Sequence, residues 1–191
     1  MRRAFVAVLM ILSAGVCGVR AQTGRATGES AGANPISTEH KQYYNRIRDY
    51  LLRTAQMMPE EHYSYKMAPG APSFGQILGH VADSQAWTCS AVHGPAVPGV
   101  DGGSKTSKSD LVAALKESSA ICDAAFASLN DATIGQIVRR DNFGSTRRGS
   151  REYTKLGALT WNTWHDTEEY GILSAYLVLK GLSPPGGSFT D

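Results

Sequence analysis

Four stretches of the chain repeat apolar residues at intervals of three and four, which is the spacing of a helix with one buried face. Thr38, Ser73, and Ser107 or Ser109 can cap the first three helices, and Gly181 stands where the fourth would end. The pattern predicts helices over residues 38–58, 73–92, 108–129 and 154–180. Four helices that each carry one apolar stripe can bury those stripes together as an all-α, four-helix bundle.

The connections between these helices differ in kind. A Gly- and Pro-rich stretch between helices two and three is long enough for a crossover. The polar stretch 130–153 fits either a short hairpin or a loop, and its pattern does not choose between them. Its basic cluster Arg147, Arg148 and Arg151 is either an anion-binding patch or a solvated loop.

The first residues are typical of a secretory signal. Arg2 and Arg3 precede an apolar run that is short for a membrane span, and Ala21 ends a segment with the small residues that a signal peptidase reads. A retained membrane anchor is the alternative. The prediction is a signal peptide at 1–21, a flexible Gly/Ala/Ser/Thr tether at 22–37, a bundle at 38–186 and a tail at 187–191, in an exported protein of the periplasm or the extracellular space.

Charge narrows the possible partners. The formal net charge is +2, and loss of Arg2, Arg3 and Arg20 with the signal would make it −1. A near-neutral mature chain argues against a nucleic-acid binder, which normally carries a basic face. It also argues against electrostatic membrane association after signal cleavage.

Two residues on the fourth helix carry the candidate chemistry. His165 and Glu169 are four apart and project from one face, so both can bind one metal ion. His80 lies beside the apolar stripe of the second helix, and packing of the two helices would add a third ligand. Two histidines and a carboxylate form a recurring ligand set for zinc and for non-haem iron. The alternative is a solvated polar face with a hydrogen-bonded core histidine.

Neighbouring residues suggest supporting roles. Asp83 and Glu168 are candidates to assist the ligands, and Trp87 and Trp161 are candidates to line a pocket beside them. All three tryptophans, Trp164 included, are expected to fill the bundle. Each metal-binding histidine should donate its second ring N–H to an oxygen.

Cys89 and Cys122 are the cysteines that remain after signal cleavage. Each lies about fifteen residues along its helix, so parallel helices would place them at one level. They are either a disulfide or two buried thiols.

Several separated blocks, in the same order, resemble the DinB/YfiT-like superfamily. They are residues 58–66, 73–83 with His80, 165–171 with His165, and 176–185. The resemblance extends over residues 39–185. It implies an up-down-down-up bundle and a metal site of three histidines, of which the third falls on Glu169 in this chain.

The resemblance also implies a range of functions. Members with known activity include thiol transferases and a maleylpyruvate isomerase, and dimers occur. We therefore expect a divalent metal, with zinc, nickel or iron as candidates, and a metal-dependent hydrolase or thiol transferase acting on a small molecule. A non-catalytic bundle that binds a metal or ligand, and a member that has lost its metal, are the alternatives.

Overall fold

The computed structural model describes residues 32–93, 100–141 and 150–187 of the chain. The predicted signal segment, most of the predicted tether, residues 188–191 of the predicted tail, and Arg147 and Arg148 of the basic cluster lie outside these residues. None of the helices in the described ranges is long and apolar enough to cross a membrane.

The helices are α1 (Pro35–Met57), α2 (Phe74–His93), α3 (Lys108–Ala127) and α4 (Lys155–Leu179), and the strands are β1 (Ile137–Asp141) and β2 (Ser150–Thr154).

The four predicted helices are present, each within one turn of its predicted ends. Ser73 begins α2 with a reciprocal cap, in which its hydroxyl accepts from the Gln76 N–H at 3.2 Å and Gln76 Oε1 accepts from the Ser73 N–H at 2.8 Å. The caps of α3 and α4 are one-sided: the Ser107 hydroxyl accepts from the Asp110 N–H, and the Thr154 hydroxyl accepts from the Gly157 N–H. Gly181 follows α4 with a φ of +72°, the left-handed conformation that favours glycine.

Helix α1 begins earlier than the sequence pattern predicts. It starts at Pro35, so residues 35–37 belong to the bundle and the predicted tether boundary at residue 37 is wrong. Asp131 accepts hydrogen bonds from the Ser37 N–H at 2.8 Å, the Ser37 hydroxyl at 2.6 Å and the Ile36 N–H at 3.1 Å. A carboxylate thus satisfies the free donors at the helix start from a distant part of the chain.

Helices α1 and α4 run in the same direction. His40 Nδ1 lies 3.4 Å from Thr160 Oγ1, and ten residues further along both helices the rings of Tyr50 and Tyr170 are 5.3 Å apart.

Helices α2 and α3 are also parallel to each other. Ser118 donates to Gln85 at 2.7 Å, and four residues later on both helices a disulfide joins Cys89 to Cys122 with Cα atoms 4.9 Å apart.

Helices α2 and α4 are antiparallel, because Gln85 contacts Asp166 and Cys89, four residues later on α2, contacts Asn162, four residues earlier on α4. Together these pairings confirm the predicted up-down-down-up bundle. The stretch between α3 and α4 adds an antiparallel hairpin, in which β1 pairs with β2 in a register that places Arg140 opposite Arg151. The hairpin packs against α2 and α4.

A buried polar layer divides the interior of the bundle. One large apolar cluster includes Leu51, Leu78 and Leu177, a second includes Tyr44 and the disulfide, and a small third cluster includes Ala82 and Val100. Between the first two clusters lie the buried side chains of Gln85, Ser118, Asn162 and Asp166.

Helix α2 approaches the crossover connection very closely at Gly79. A Cβ placed at Gly79 would lie 2.4 Å from the Gly102 carbonyl oxygen, so no larger residue fits without backbone movement. The adjacent residue is His80, and this contact therefore helps to set the position of a candidate ligand.

We predict that Gly79→Ala destabilises the protein by about 1–3 kcal/mol, the usual cost of overpacking. Gly171→Ala is the matched control, because a Cβ there meets nothing within 4 Å on an exposed turn of α4. It should stabilise the protein by about 0.5–1 kcal/mol, since alanine favours a helix over glycine. Urea unfolding measures both changes, and equal effects of the two substitutions would contradict the close approach.

We also predict that the double substitution Cys89→Ala and Cys122→Ala lowers the free energy of unfolding by about 3–4 kcal/mol. The bridge closes a loop with a sequence separation of 33 residues, and its loss frees the unfolded chain by roughly that amount. Urea unfolding of the oxidised parent protein and of the variant measures the difference. Coincident unfolding curves would show that no bridge stabilises the oxidised protein.

Candidate metal centre

Antiparallel packing of α2 against α4 brings together the three predicted ligands. His80 comes from the first half of α2, and His165 and Glu169 project one turn apart from α4. The two Nε2 atoms are 3.0 Å apart, and each lies 3.7 Å from Glu169 Oε1. One ligand atom from each residue is therefore available to a single ion.

The spacing of these three atoms suits a divalent transition metal. A circle through the corners of a triangle with sides of 3.0, 3.7 and 3.7 Å has a radius of about 2.0 Å. Zinc binds histidine nitrogen at about 2.0–2.1 Å and carboxylate oxygen at about 2.0–2.2 Å. An ion at or slightly above the plane of the triangle can therefore contact all three atoms without rearrangement of the helices.

Burial prepares the ligands for a cation. Burial lowers the pKa of His165, and the nearby charges of His80 and Arg140 act in the same direction, so that it falls to about 4. His165 is thus neutral at pH 7 and offers a lone pair. Burial also raises the pKa of Glu169, whose side chain is 15% exposed. A cation beside this desolvated carboxylate would stabilise its charged form. The His80 side chain is 49% exposed, so the site is open to solvent at His80.

Aromatic stacking orients His165. The Trp161 ring lies one turn earlier on α4 and stacks on the imidazole, with centroids 5.0 Å apart and planes 19° apart. Trp87 meets Trp161 edge to face at 6.3 Å. Within the described residues neither histidine donates its second ring N–H to an oxygen, so that expectation is not met, and for His165 the stacked indole takes over the orienting role.

The sequence profile of the DinB superfamily matches residues 43–173, which include all three ligands and most of the bundle. This chain belongs to the DinB superfamily. The match confirms the resemblance that the separated sequence blocks indicate. No curated protein matches the chain.

Two solved structures share the DinB fold with this protein. A DinB-like protein from Bacillus cereus ATCC 10987 superposes with a TM-score of 0.59 at 18% identity, over 78% of this chain and 96% of that one. The DinB-like protein YjoA from Bacillus subtilis superposes with a TM-score of 0.57 at 18% identity, over 76% of this chain and 93% of that one. At this identity the similarity supports the fold alone.

Two of the predicted supporting residues lie elsewhere in this DinB protein. Asp83 turns toward the crossover, where its carboxylate accepts from the Gly102 N–H at 2.6 Å and the Gly103 N–H at 2.8 Å. It anchors the connection and does not assist a ligand. Glu168 is exposed, and its charge contributes only to the raised pKa of Glu169.

The three tryptophans do not all fill the bundle as predicted. Trp87 and Trp161 are partly buried beside the ligands, where they form one wall of the site. Trp164 is 58% exposed, because three residues beyond Trp161 the helix has turned toward the groove between α1 and α4.

A buried acid behind the ligands was missed from the sequence. Asp166 Oδ2 accepts from Gln85 Nε2 at 2.9 Å and from Asn162 Nδ2 at 3.0 Å, and burial raises the pKa of Asp166 to about 7. The spacing of Asn162 and Asp166 on one face of α4 is the signal that could have indicated it. This network holds α2 and α4 together next to the ligands.

We predict that Glu169→Ala weakens zinc binding at least about 10–100-fold, since even loss of an outer partner of a ligand costs that much. Glu169→His should strengthen binding of nickel and zinc, because it supplies a third imidazole. Glu168→Ala is the matched control, as it removes the same charge from the exposed neighbour. Calorimetric titration of metal-free protein measures each affinity, and equal weakening by Glu168→Ala and Glu169→Ala would exclude Glu169 as a ligand.

Proposed function

We propose that this protein is an exported metalloenzyme that uses a divalent ion at His80, His165 and Glu169 for hydrolysis or thiol transfer on a small molecule. The observation that carries the proposal is the three-atom cluster, whose spacing suits one ion with bonds of about 2.0–2.2 Å. Membership of the DinB superfamily supports the same reading. Zinc, nickel and iron all suit this donor set.

The ion would lower the pKa of a bound water or thiol, or polarise a substrate oxygen. The protein supplies the surroundings for that chemistry. His165 stays neutral and oriented by Trp161, while Glu169 provides one negative charge. The partly exposed His80 leaves an approach for a small substrate from the solvent side.

Export is part of the proposal. It rests on the charged and apolar first residues, and the disulfide between Cys89 and Cys122 suits an oxidising compartment. N-terminal sequencing of protein recovered from the periplasm or medium should begin at Gln22. Recovery of the chain only from the cytoplasm with Met1 intact would contradict export. Dimerisation, and the lack of nucleic-acid and membrane partners, stay predictions.

The second candidate is that this protein is a DinB protein that binds no metal. The two Nε2 atoms are 3.0 Å apart, a distance at which one imidazole can donate a hydrogen bond directly to the other. In that case the histidines would pair with each other across α2 and α4. A metal would then be unnecessary for the packing of the site.

Elemental analysis of protein purified without an affinity tag separates these candidates. We expect about one divalent ion per chain, lost in His165→Ala and retained in His93→Ala, which changes an exposed histidine at the end of α2. A panel of ester, amide and thiol-transfer substrates should then show turnover in the wild type and in His93→Ala, and none in His165→Ala.

Two outcomes would contradict the proposal. A wild type that neither retains nor takes up a divalent ion supports the metal-free candidate. A metal-loaded wild type without turnover across the panel supports a binding protein, in which the bundle holds a metal or ligand without transforming it.

A further inference from the structure

Strand β1 places a buried arginine next to the metal centre. Arg140 is only 3% exposed, although arginine is rarely buried unless it is paired. Its guanidinium lies between the hairpin and the helices that carry the ligands. Neither the sequence pattern nor the proposed metal chemistry accounts for a buried cation at this position.

Three aromatic rings enclose the guanidinium. Its central carbon lies 3.7 Å from the ring centroid of Trp87, 4.5 Å from that of Trp161 and 4.8 Å from that of Tyr153. Cation–π contacts with desolvated rings favour this position. The desolvation cost of a buried ion is larger, so the rings compensate for only part of it.

Among the residues whose side chains the structure describes, no carboxylate forms an ion pair with Arg140 to offset the rest of this cost. Nε and Nη1 of Arg140 are buried and have no hydrogen-bond partner among those residues. Burial lowers the pKa of Arg140 to about 10, and the neighbouring groups that act on it are Tyr153 and Arg151. Arg140 therefore remains charged at neutral pH, and no group in the described part of the chain accepts a hydrogen bond from Nε or Nη1.

The Arg140 guanidinium and the candidate metal ligand His165 lie against the same tryptophan ring. The Trp161 ring stacks on His165 at 5.0 Å and lies 4.5 Å from the guanidinium carbon, so both groups contact the same indole. A divalent ion on two neutral histidines and one glutamate would leave a net charge of +1. With Arg140 beside it, the site as a whole would be doubly positive and would favour an anionic ligand.

We propose that Arg140 binds the carboxylate of the small organic molecule on which the metal centre acts. The planar guanidinium matches a carboxylate, and the unfilled donors would gain charge-assisted hydrogen bonds. Trp87, Trp161 and Tyr153 are each only partly buried, so the aromatic enclosure reaches the surface. This assignment of substrate class rests on the proposed function, but anion binding by Arg140 does not itself require the metal.

Tryptophan fluorescence of metal-free protein tests the proposal directly. The chain has three tryptophans, and Trp164→Phe leaves only Trp87 and Trp161, which both contact Arg140. This single-substitution protein is titrated at constant ionic strength with benzoate and, separately, with benzamide, its uncharged analogue. We expect a saturable fluorescence change with benzoate and none with benzamide.

Variants in the same background locate the response. Arg140→Met should weaken benzoate binding at least about tenfold, since hydrogen bonds to charged groups contribute about 1.5–3 kcal/mol. Arg139→Met removes the same charge from the adjacent, exposed position of β1 and should leave binding within about twofold. His165→Ala should abolish metal uptake but retain benzoate binding, which separates failure of this inference from failure of the proposed metal function.

Three results would overturn the inference. They are a parent protein that does not respond to benzoate, equal responses to benzoate and benzamide, and equal weakening by Arg139→Met and Arg140→Met. If Arg140→Met fails to fold by near-ultraviolet circular dichroism, Arg140→Lys replaces it. That variant keeps the charge but loses the planar donors, so undiminished benzoate binding by it would also overturn the inference.

Discussion

Antiparallel packing of α2 against α4 is the constraint on which the rest of the site depends. It brings a histidine from one helix to within hydrogen-bonding distance of a histidine from the other, with a carboxylate one turn away. Buried polar contacts from Gln85 to Asp166 fix the same pair of helices. Close contact of Gly79 with the crossover and the bridge from α2 to α3 hold α2 on its other sides.

The candidate metal ligands and the buried Arg140 lie close together but favour ligands of opposite charge. A desolvated glutamate and two imidazoles, one of them held neutral by burial, form an environment that a divalent cation would stabilise. Arg140 contacts the indole that stacks on His165, and an anion would stabilise its buried guanidinium. A divalent ion between the ligands and an anion at Arg140 would therefore lie beside the same indole, which is the arrangement that the proposed small acidic substrate requires.

The sequence predicts the helices well because their apolar period and their capping residues are local signals. The ligand set also follows from local spacing on α4, joined to the family resemblance that pairs His80 with it. Asp83 was misassigned because its partners are backbone amides nineteen and twenty residues away, which no local pattern indicates. The long-range cap by Asp131 shifted the start of α1 for the same reason.

Arg140 was missed for a different physical reason. It stands in a polar stretch whose pattern fits a loop as well as a hairpin, and its burial depends on aromatic residues from three other elements. Trp164 shows the opposite error, since an apolar residue type suggested burial while the helix turns it toward solvent. In both cases the surroundings come from tertiary packing and not from the residue itself.

Anomalous X-ray scattering from crystals of the zinc-loaded protein, recorded at the zinc absorption edge, tests the central claim most directly. We expect one strong peak per chain, about 2.0–2.2 Å from Nε2 of His80, Nε2 of His165 and a carboxylate oxygen of Glu169. A fully zinc-equilibrated crystal with no peak between these three residues, or with its zinc bound by other side chains, would contradict it.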